Sequence, residues 1–369
     1  MNQLFRWDQT GLFLLALAAG ILPFAVPEVC AAALREGLTL CSGPLLLSLF
    51  PFLVVSRLLI QCPESDLLAL PFRLAAWGIG IRTPCAARVL CIGFLGGFAP
   101  AASAAAQAVR TGQLTAEEAD ALLPACICSG PSFVVLTVGQ SLLGSAELGV
   151  LLFASQITAN YLTAALLNRF AGVRSVKPGS AAPASPAPPR LDEILADAAI
   201  TYCKLCGFIL FFRMLAAGAG ALLPADAGTL CSILLEVCSG CDLASRTGRW
   251  GSLLCCAALS VQGLSVLLQV RTICPPEMTL RPLYRSRLLH LPLSLALFYL
   301  LLPGGEADVF STLPARVLLM RRVPPDCALL VFAVCCMAVC TLRSGIRQVE
   351  QKQMARNAGG CCINSKTLL

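Results

Sequence analysis

An all-α, polytopic transmembrane bundle in two halves, with broken or re-entrant helices, is the fold class this sequence predicts. Three observations carry that expectation. Of 369 residues, 57% are hydrophobic and 13% charged, about half the charged share of a soluble domain, and mean hydropathy is +0.79. So few polar side chains cannot cover a globule of this length, and apolar surface must face lipid. Second, apolar runs recur near the ~20 residues that a helical span needs, without the alternating segments of a membrane barrel. Third, glycine and proline interrupt several runs. A soluble enzyme, a disordered chain and a secreted disulfide module are excluded. The formal charge of +7 resides mainly in connectors and at the C-terminus. That placement points to anionic headgroups and topology rather than to nucleic acid.

The elements follow in order. Residues 11–26 form an apolar run behind a short polar start, without a clean cleavage site after it, and are expected to be a retained span. Clear spans are expected at 44–60, 125–143, 148–167, 198–223, 251–270, 288–302 and 326–342. Residues 89–109 are long enough but carry Gly93, Gly96, Gly97 and Pro100. Residues 67–81 and 229–241 are too brief to cross and suit re-entrant or half-membrane helices. Cys128-Ser129-Gly130-Pro131 breaks the start of an otherwise uniform span. Thr115, ahead of Glu117 and Glu118, is a helix N-cap, and its helix is expected at the surface.

Residues 173–192 are rich in Pro, Ala and Ser, with Arg174, Lys177 and Arg190, and form a solvated linker. Its basic residues, and those of the tail (Arg343, Arg347, Lys352, Arg356, Lys366), place both on the cytoplasmic side. The organisation is an N-terminal span and connector (1–39), a first repeat (40–172), the linker (173–192), a second repeat (193–275), C-terminal spans (276–342) and a basic tail (343–369). Most of the 21 cysteines, Cys335 and Cys336 among them, lie in apolar runs as small polarizable hydrophobes. Cys203/Cys206 and Cys238/Cys241 have C-x-x-C spacing but sit in separate runs without a nearby histidine, so the spacing is read as chance. His290, the single histidine, is read as helix filler.

Two echoes join the halves. Phe52, Arg57 and Leu59 align with Phe208, Arg213 and Leu215 at one offset. Ser103 through Gln107 matches Ser265 through Gln269, and each is soon followed by Arg-Thr. Internal repeats flanking interrupted helices are the architecture of many secondary transporters.

No nucleophile–base set, phosphate loop or metal cluster is visible, so neither enzymatic activity nor a cofactor is expected. Polar groups inside apolar runs stand out instead, because they are costly there. Arg57 and Arg213 either snorkel to the interface or pair with an acid or a solute anion. Glu236, just before Ser239-Gly240, either holds a cation, a proton or a solute hydroxyl, or bonds exposed amides or an arginine. Gln262, Gly263, Ser265 and Gln269 in the second half, with Gly97 and Ser129 in the first, sit where freed main-chain groups need protein or water partners. Close packing of small residues, as in Gly93-x-x-x-Gly97, is the plainer alternative.

At these residues the chain resembles the bacterial sporulation integral membrane proteins with nucleoside-recognition, or Gate, domains, the YlbJ-like group. The resemblance covers roughly residues 40–272. Leu46 through Phe52 is similar to an early Pro-Ser-Leu-Leu-Pro-Phe-like run, and Gly96-Gly97-Phe98 stands at a Ser-Gly-Tyr-Pro-x-Gly-Ala motif. Glu118-Ala119-x-x-Leu122 followed by Ser129-Gly130-Pro131-Ser-Phe133 resembles Glu-Ala-x-x-Leu and Ser-Asn-Pro-Leu-Phe. Leu235 through Gly240 resembles Leu-Glu-x-Thr-x-Gly. Ser260-x-x-Gly263-Leu264-Ser265-Val266-x-x-Gln269 matches the most specific run, Ser-Phe-Gly-Gly-Leu-Ser-Val-x-x-Gln. The chain departs at Ser103, where a lysine is usual, at the displaced Pro100, and at Ile127 and Gly130, where asparagines are usual. The resemblance implies two Gate-like repeats, a multi-pass cell-membrane location, and a role in endospore formation related to the spore cortex. A small polar solute would be transported or sensed in a cavity, with the bilayer as surroundings. Alternatives are a non-transporting scaffold for spore-envelope assembly and a nucleoside carrier.

Overall fold

A computed structural model describes residues 9–62, 65–172 and 191–302, whose regular elements are all helices, without strands. The span expected at 326–342, Cys335 and Cys336, the basic tail and nearly all of the linker lie outside the described residues.

Chain breaks coincide with residues that cannot continue a helix. The first apolar run becomes α1 (Gln9–Ala25), and Pro27 at the first position of α2 (Pro27–Ser42) turns the chain through 107°. Gly43 and Pro44 then separate α2 from α3 (Pro44–Gln61). The brief run at 67–81 is two short helices, α4 (Ser65–Leu68) and α5 (Leu70–Gly78). The run at 89–109 is not one span but α6 (Pro84–Gly96) and α7 (Phe98–Arg110), divided at Gly97, whose φ of 80° and ψ of −164° belong essentially to glycine.

The Thr115 cap is real, with a full capping box to Glu118, but α8 (Ala116–Cys126) is no surface helix. Glu118 through Cys126 are all buried, because this short element lies against α6, α7, α9 and α15. Thr115→Ala should cost about 1 kcal/mol, read as a small drop in melting temperature in detergent. The uniform span expected at 125–143 is absent too. α8 stops at Cys126, residues 127–130 are non-helical, and Ser132–Leu142 continues as an 11-residue π-helix. That helix lies along α9 (Ala146–Ala171) because Gly139 and Gly149 let the backbones touch; a Cβ on Gly139 would sit 2.5 Å from the Gly149 Cα.

The second half opens with α10 (Leu191–Leu222), followed by α11 (Ala225–Leu235) and α12 (Val237–Ser245), divided at Glu236. α13 (Gly251–Val261) and α14 (Gly263–Ile273) are divided at Gln262, and α15 (Arg281–Leu301) ends the described chain. Three stretches are long and apolar enough to cross a membrane, Ala146–Ala171, Leu191–Leu222 and the kinked Gly248–Ile273, or four if the bent α1–α2 pair counts as one. Large apolar side chains such as Phe24, Phe170, Leu288 and Leu300 are exposed, as expected of surface that meets lipid.

Element order repeats between the halves. A first helix (α3, α10), a broken pair (α6/α7, α11/α12), a second broken pair (α8/π-helix, α13/α14) and a closing helix (α9, α15) occur twice. Swapping counterparts maps contacts onto contacts: α7 on α14 becomes α12 on the π-helix, and α15 on α8 becomes α9 on α13. α3 packs on α10 and α9 on α15, so the paired helices meet each other. The exchange is incomplete, because the π-helix lies along α9 whereas α14 lies against α7, α10 and α11.

Candidate functional site

In each half the two breaks touch. A Cβ on Gly97 would lie 2.7 Å from the Gly130 backbone nitrogen, so the α6/α7 break rests directly on the α8/π-helix break. In the second half a Cβ on Gly263, at φ 70°, would lie 3.0 Å from the Glu236 nitrogen and from the Leu235 carbonyl. The α13/α14 break thus rests on the α11/α12 break. Only the absence of side chains at Gly97 and Gly263 allows main chain to meet main chain at these crossings.

The side chains then answer the freed backbone groups. Glu236 is 2% exposed, and its carboxylate accepts from the Cys238 amide at 2.8 Å and the Ser239 amide at 2.7 Å, with the Ser239 hydroxyl adding a bond of 2.9 Å. It is the N-cap of α12, a negative charge at the positive end of a helix. Of the two roles open to it in the sequence, bonding exposed amides is the one its geometry displays. Gln269 donates to the Ser265 hydroxyl at 2.9 Å, while its Oε1 is buried without a hydrogen-bond partner. Gln262, in the left-handed conformation, donates to the Leu259 carbonyl and also has a buried, unpartnered Oε1.

A cavity of ≈ 70 Å³ lies where these breaks converge between the halves. Ser129, Glu236 and Gln269 line it, together with Gly96, Phe98 and Phe52. The other sequence-derived positions stand behind that lining. Gly97 and Gly263 make the crossings, Ser239 and Ser265 bond the lining residues, and Gly240 packs on Ile233. Gln262 is directed at its own helix end rather than into the cavity. The cavity wall thus brings together Glu236, Gln269 and Phe98 at the start of α7, whose first turn no side chain caps.

Arg57 and Arg213 both find acids. Arg57 pairs with Asp197 of α10 at 2.5 Å, and Arg213 with Glu36 of α2 at 2.7 Å. The echo through Arg57 and Arg213 joins the counterparts α3 and α10. The second echo does not behave so: Ser103 and Gln107 lie on α7, from a first broken pair, and Ser265 and Gln269 on α14, from a second.

A polar seam between α9, α13 and α15 is not apparent from the sequence. Gln156 and Asn160 on α9 face Ser260 on α13 and Ser286, Arg287, His290 and Ser294 on α15, all buried. Arg287 donates to Asn160 at 3.1 Å and approaches the Ile127 and Ser260 carbonyls at 3.4 and 3.5 Å. Its positive charge therefore meets the carbonyl ends of α8 and α13, where the helix dipole is negative. His290 is fully buried, with Nε2 against the Gln156 carbonyl, and so belongs to this seam rather than to filler. The i, i+4 pair Gln156/Asn160 inside an apolar run was the available signal. Asn160→Leu would strip Arg287 of its shortest bond and the Ile127 carbonyl of a donor. A loss of about 2–4 kcal/mol is expected, measured by thermal unfolding in detergent.

No protein-family model, curated protein or solved structure matches this chain.

Proposed function

We propose that this chain is a Gate-type, multi-pass cell-membrane protein that passes or senses a small polar solute at the junction of its broken helices. The observation that carries the proposal is the convergence of Ser129, Glu236 and Gln269, from three separate elements, on one cavity, with Gln269 Oε1 left unpartnered. Polar groups this deep in an apolar bundle normally serve a pathway or one another. Here Gln269 has bonding capacity to spare. The recurring element order supports two duplicated units, the second extending through α15, the counterpart of α9. Inverted or parallel duplication around interrupted helices suits alternating access. The sporulation role, and its link to the spore cortex, rests on the motif resemblance.

The cavity of ≈ 70 Å³ is large enough to hold ordered water, and its polar lining of Ser129, Glu236 and Gln269 suits a small polar solute. The test pairs Glu236→Gln with Gln269→Ala in a spore-forming host lacking the native protein. Membrane abundance is expected near wild type while heat-resistant spore yield falls at least tenfold. Loss of abundance and function in parallel would favour the scaffold, a reading that Glu236 itself invites because its carboxylate is already engaged by α12. Radiolabelled nucleoside uptake into vesicles above the empty-vesicle background would instead establish the carrier.

A further inference from the structure

A second, larger cavity of ≈ 150 Å³ lies farther along the same four helices, α3, α7, α10 and α14. Arg57, Ser103, Arg110, Thr201, Lys204 and Thr272 contribute its polar lining. Leu53, Ala99, Tyr202 and Leu205 form a buried apolar cluster on these helices between the two cavities' polar linings. We propose that this outer cavity is an oxyanion site that takes a phosphate group.

Charge carries the first part of the argument. Three cations, Arg57, Arg110 and Lys204, share the cavity with one carboxylate, Asp197, and that carboxylate is committed to Arg57. Arg110 and Lys204 have no ion pair or hydrogen bond among the described residues. Two positive charges are thus left over.

Geometry carries the second part. The Arg57 side chain is 8% exposed; Nη1 serves Asp197 and Nη2 the Thr201 hydroxyl at 3.3 Å, while Nε is buried with no partner. A buried guanidinium N–H without an acceptor is a position where an oxygen is missing. Arginine's planar fork suits the oxygens of a phosphate, and lysine adds a point charge. The C-terminal ends of α3, α7 and α14 lie at this end of the helices and favour cations there on their own account. The helix ends account for positive charge. They do not account for the buried, unpartnered Nε or for the cavity itself, which is large enough to hold ordered water.

The phosphate could belong to a lipid headgroup or to a soluble anion, and the experiment separates the two. Full-length protein in maltoside micelles is melted with added inorganic phosphate, with phosphatidylglycerol, with phosphatidylcholine, and with chloride at matched ionic strength. The same series is run on the double variant Arg110→Gln, Lys204→Gln, which changes exposed side chains and leaves the Arg57–Asp197 pair intact. Wild type is expected to gain several degrees from inorganic phosphate or from phosphatidylglycerol, beyond chloride and phosphatidylcholine, and the variant less than a third of that. A response to both probes identifies a soluble anion that headgroups can imitate, and a response to phosphatidylglycerol alone identifies a lipid. No specific response in wild type, or an equal one in the variant, overturns the proposal. This site is separate from the solute cavity, so failure here would leave that reading as it stands.

Discussion

Gly97→Ala is expected to destabilise the bundle by about 2–6 kcal/mol. Two costs combine. At φ 80° and ψ −164° an L-residue occupies backbone territory worth about 1–3 kcal/mol of strain. The new methyl would also lie 2.7 Å from the Gly130 nitrogen and 3.0 Å from its Cα, an overpacking clash of about 1–3 kcal/mol. Because the obstacle is main chain, a rotamer change cannot relieve it. Gly112→Ala is the control: φ is 69° there, but nothing lies within 4 Å of the added carbon, so only the ~1–2 kcal/mol of left-handed strain remains. Thermal unfolding in detergent should rank Gly97→Ala far below Gly112→Ala, which should sit just under wild type. Thiol labelling gives a local readout, because Cys128, buried behind the first crossing, should react faster only in Gly97→Ala. Equal melting temperatures for the two variants would mean that the breaks do not bear on each other.

Where the chain breaks was legible, and what the broken pieces touch was not. Gly97, Gly130 and Gln262-Gly263 fall at or beside breaks expected from Gly, Pro and polar residues in apolar runs, whereas Ser239-Gly240, where the backbone could break, lies inside α12 and the chain breaks at Glu236 instead. Those signals are local, because each reports an amide or a φ that a helix cannot use. Placement against neighbours is another matter. In a membrane protein the surface facing lipid is as apolar as the surface facing another helix, so hydropathy cannot tell the two apart. α8 illustrates the failure: its capping box and acidic first turn suggested a solvated face, yet Glu118 and Asp120 are buried. The fold meets both acids, with Thr83 bonding Glu118 at 2.6 Å and the Thr279 and Leu280 amides bonding Asp120. Arg287 illustrates it again, for its partners come from α9, 127 residues away, and from two helix ends 160 and 27 residues away. The Ser103–Gln107 echo shows the limit of matching apolar sequence to itself, since it joins elements whose places in the two halves differ.

Replacing Glu236 should separate its two candidate duties. Its carboxylate holds two first-turn amides of α12, those of Cys238 and Ser239, with bonds of 2.8 and 2.7 Å at a position that is 2% exposed. In Glu236→Leu both amides lose their acceptor inside an apolar bundle, each at about 1–3 kcal/mol, and the helix end loses its compensating charge. A total of about 3–5 kcal/mol is expected, enough to lower the amount of folded protein in the membrane severalfold. Glu236→Gln keeps the length of the chain and one acceptor oxygen. It should therefore cost only about 1–2 kcal/mol, seen as a modest fall in melting temperature with abundance nearly unchanged. The two variants diverge in function only if the carboxylate also faces a solute. A residue that merely caps α12 would lose activity in proportion to folded protein, leaving Glu236→Gln nearly active. A residue that holds a proton, cation or hydroxyl in the cavity would lose activity in Glu236→Gln despite normal abundance, because the amide preserves the cap in part and the charge not at all. Adding Ser239→Ala sharpens the comparison. It removes the 2.9 Å bond to the same carboxylate oxygen while leaving the charge in place, so stability should shift by less than about 1 kcal/mol and activity should survive.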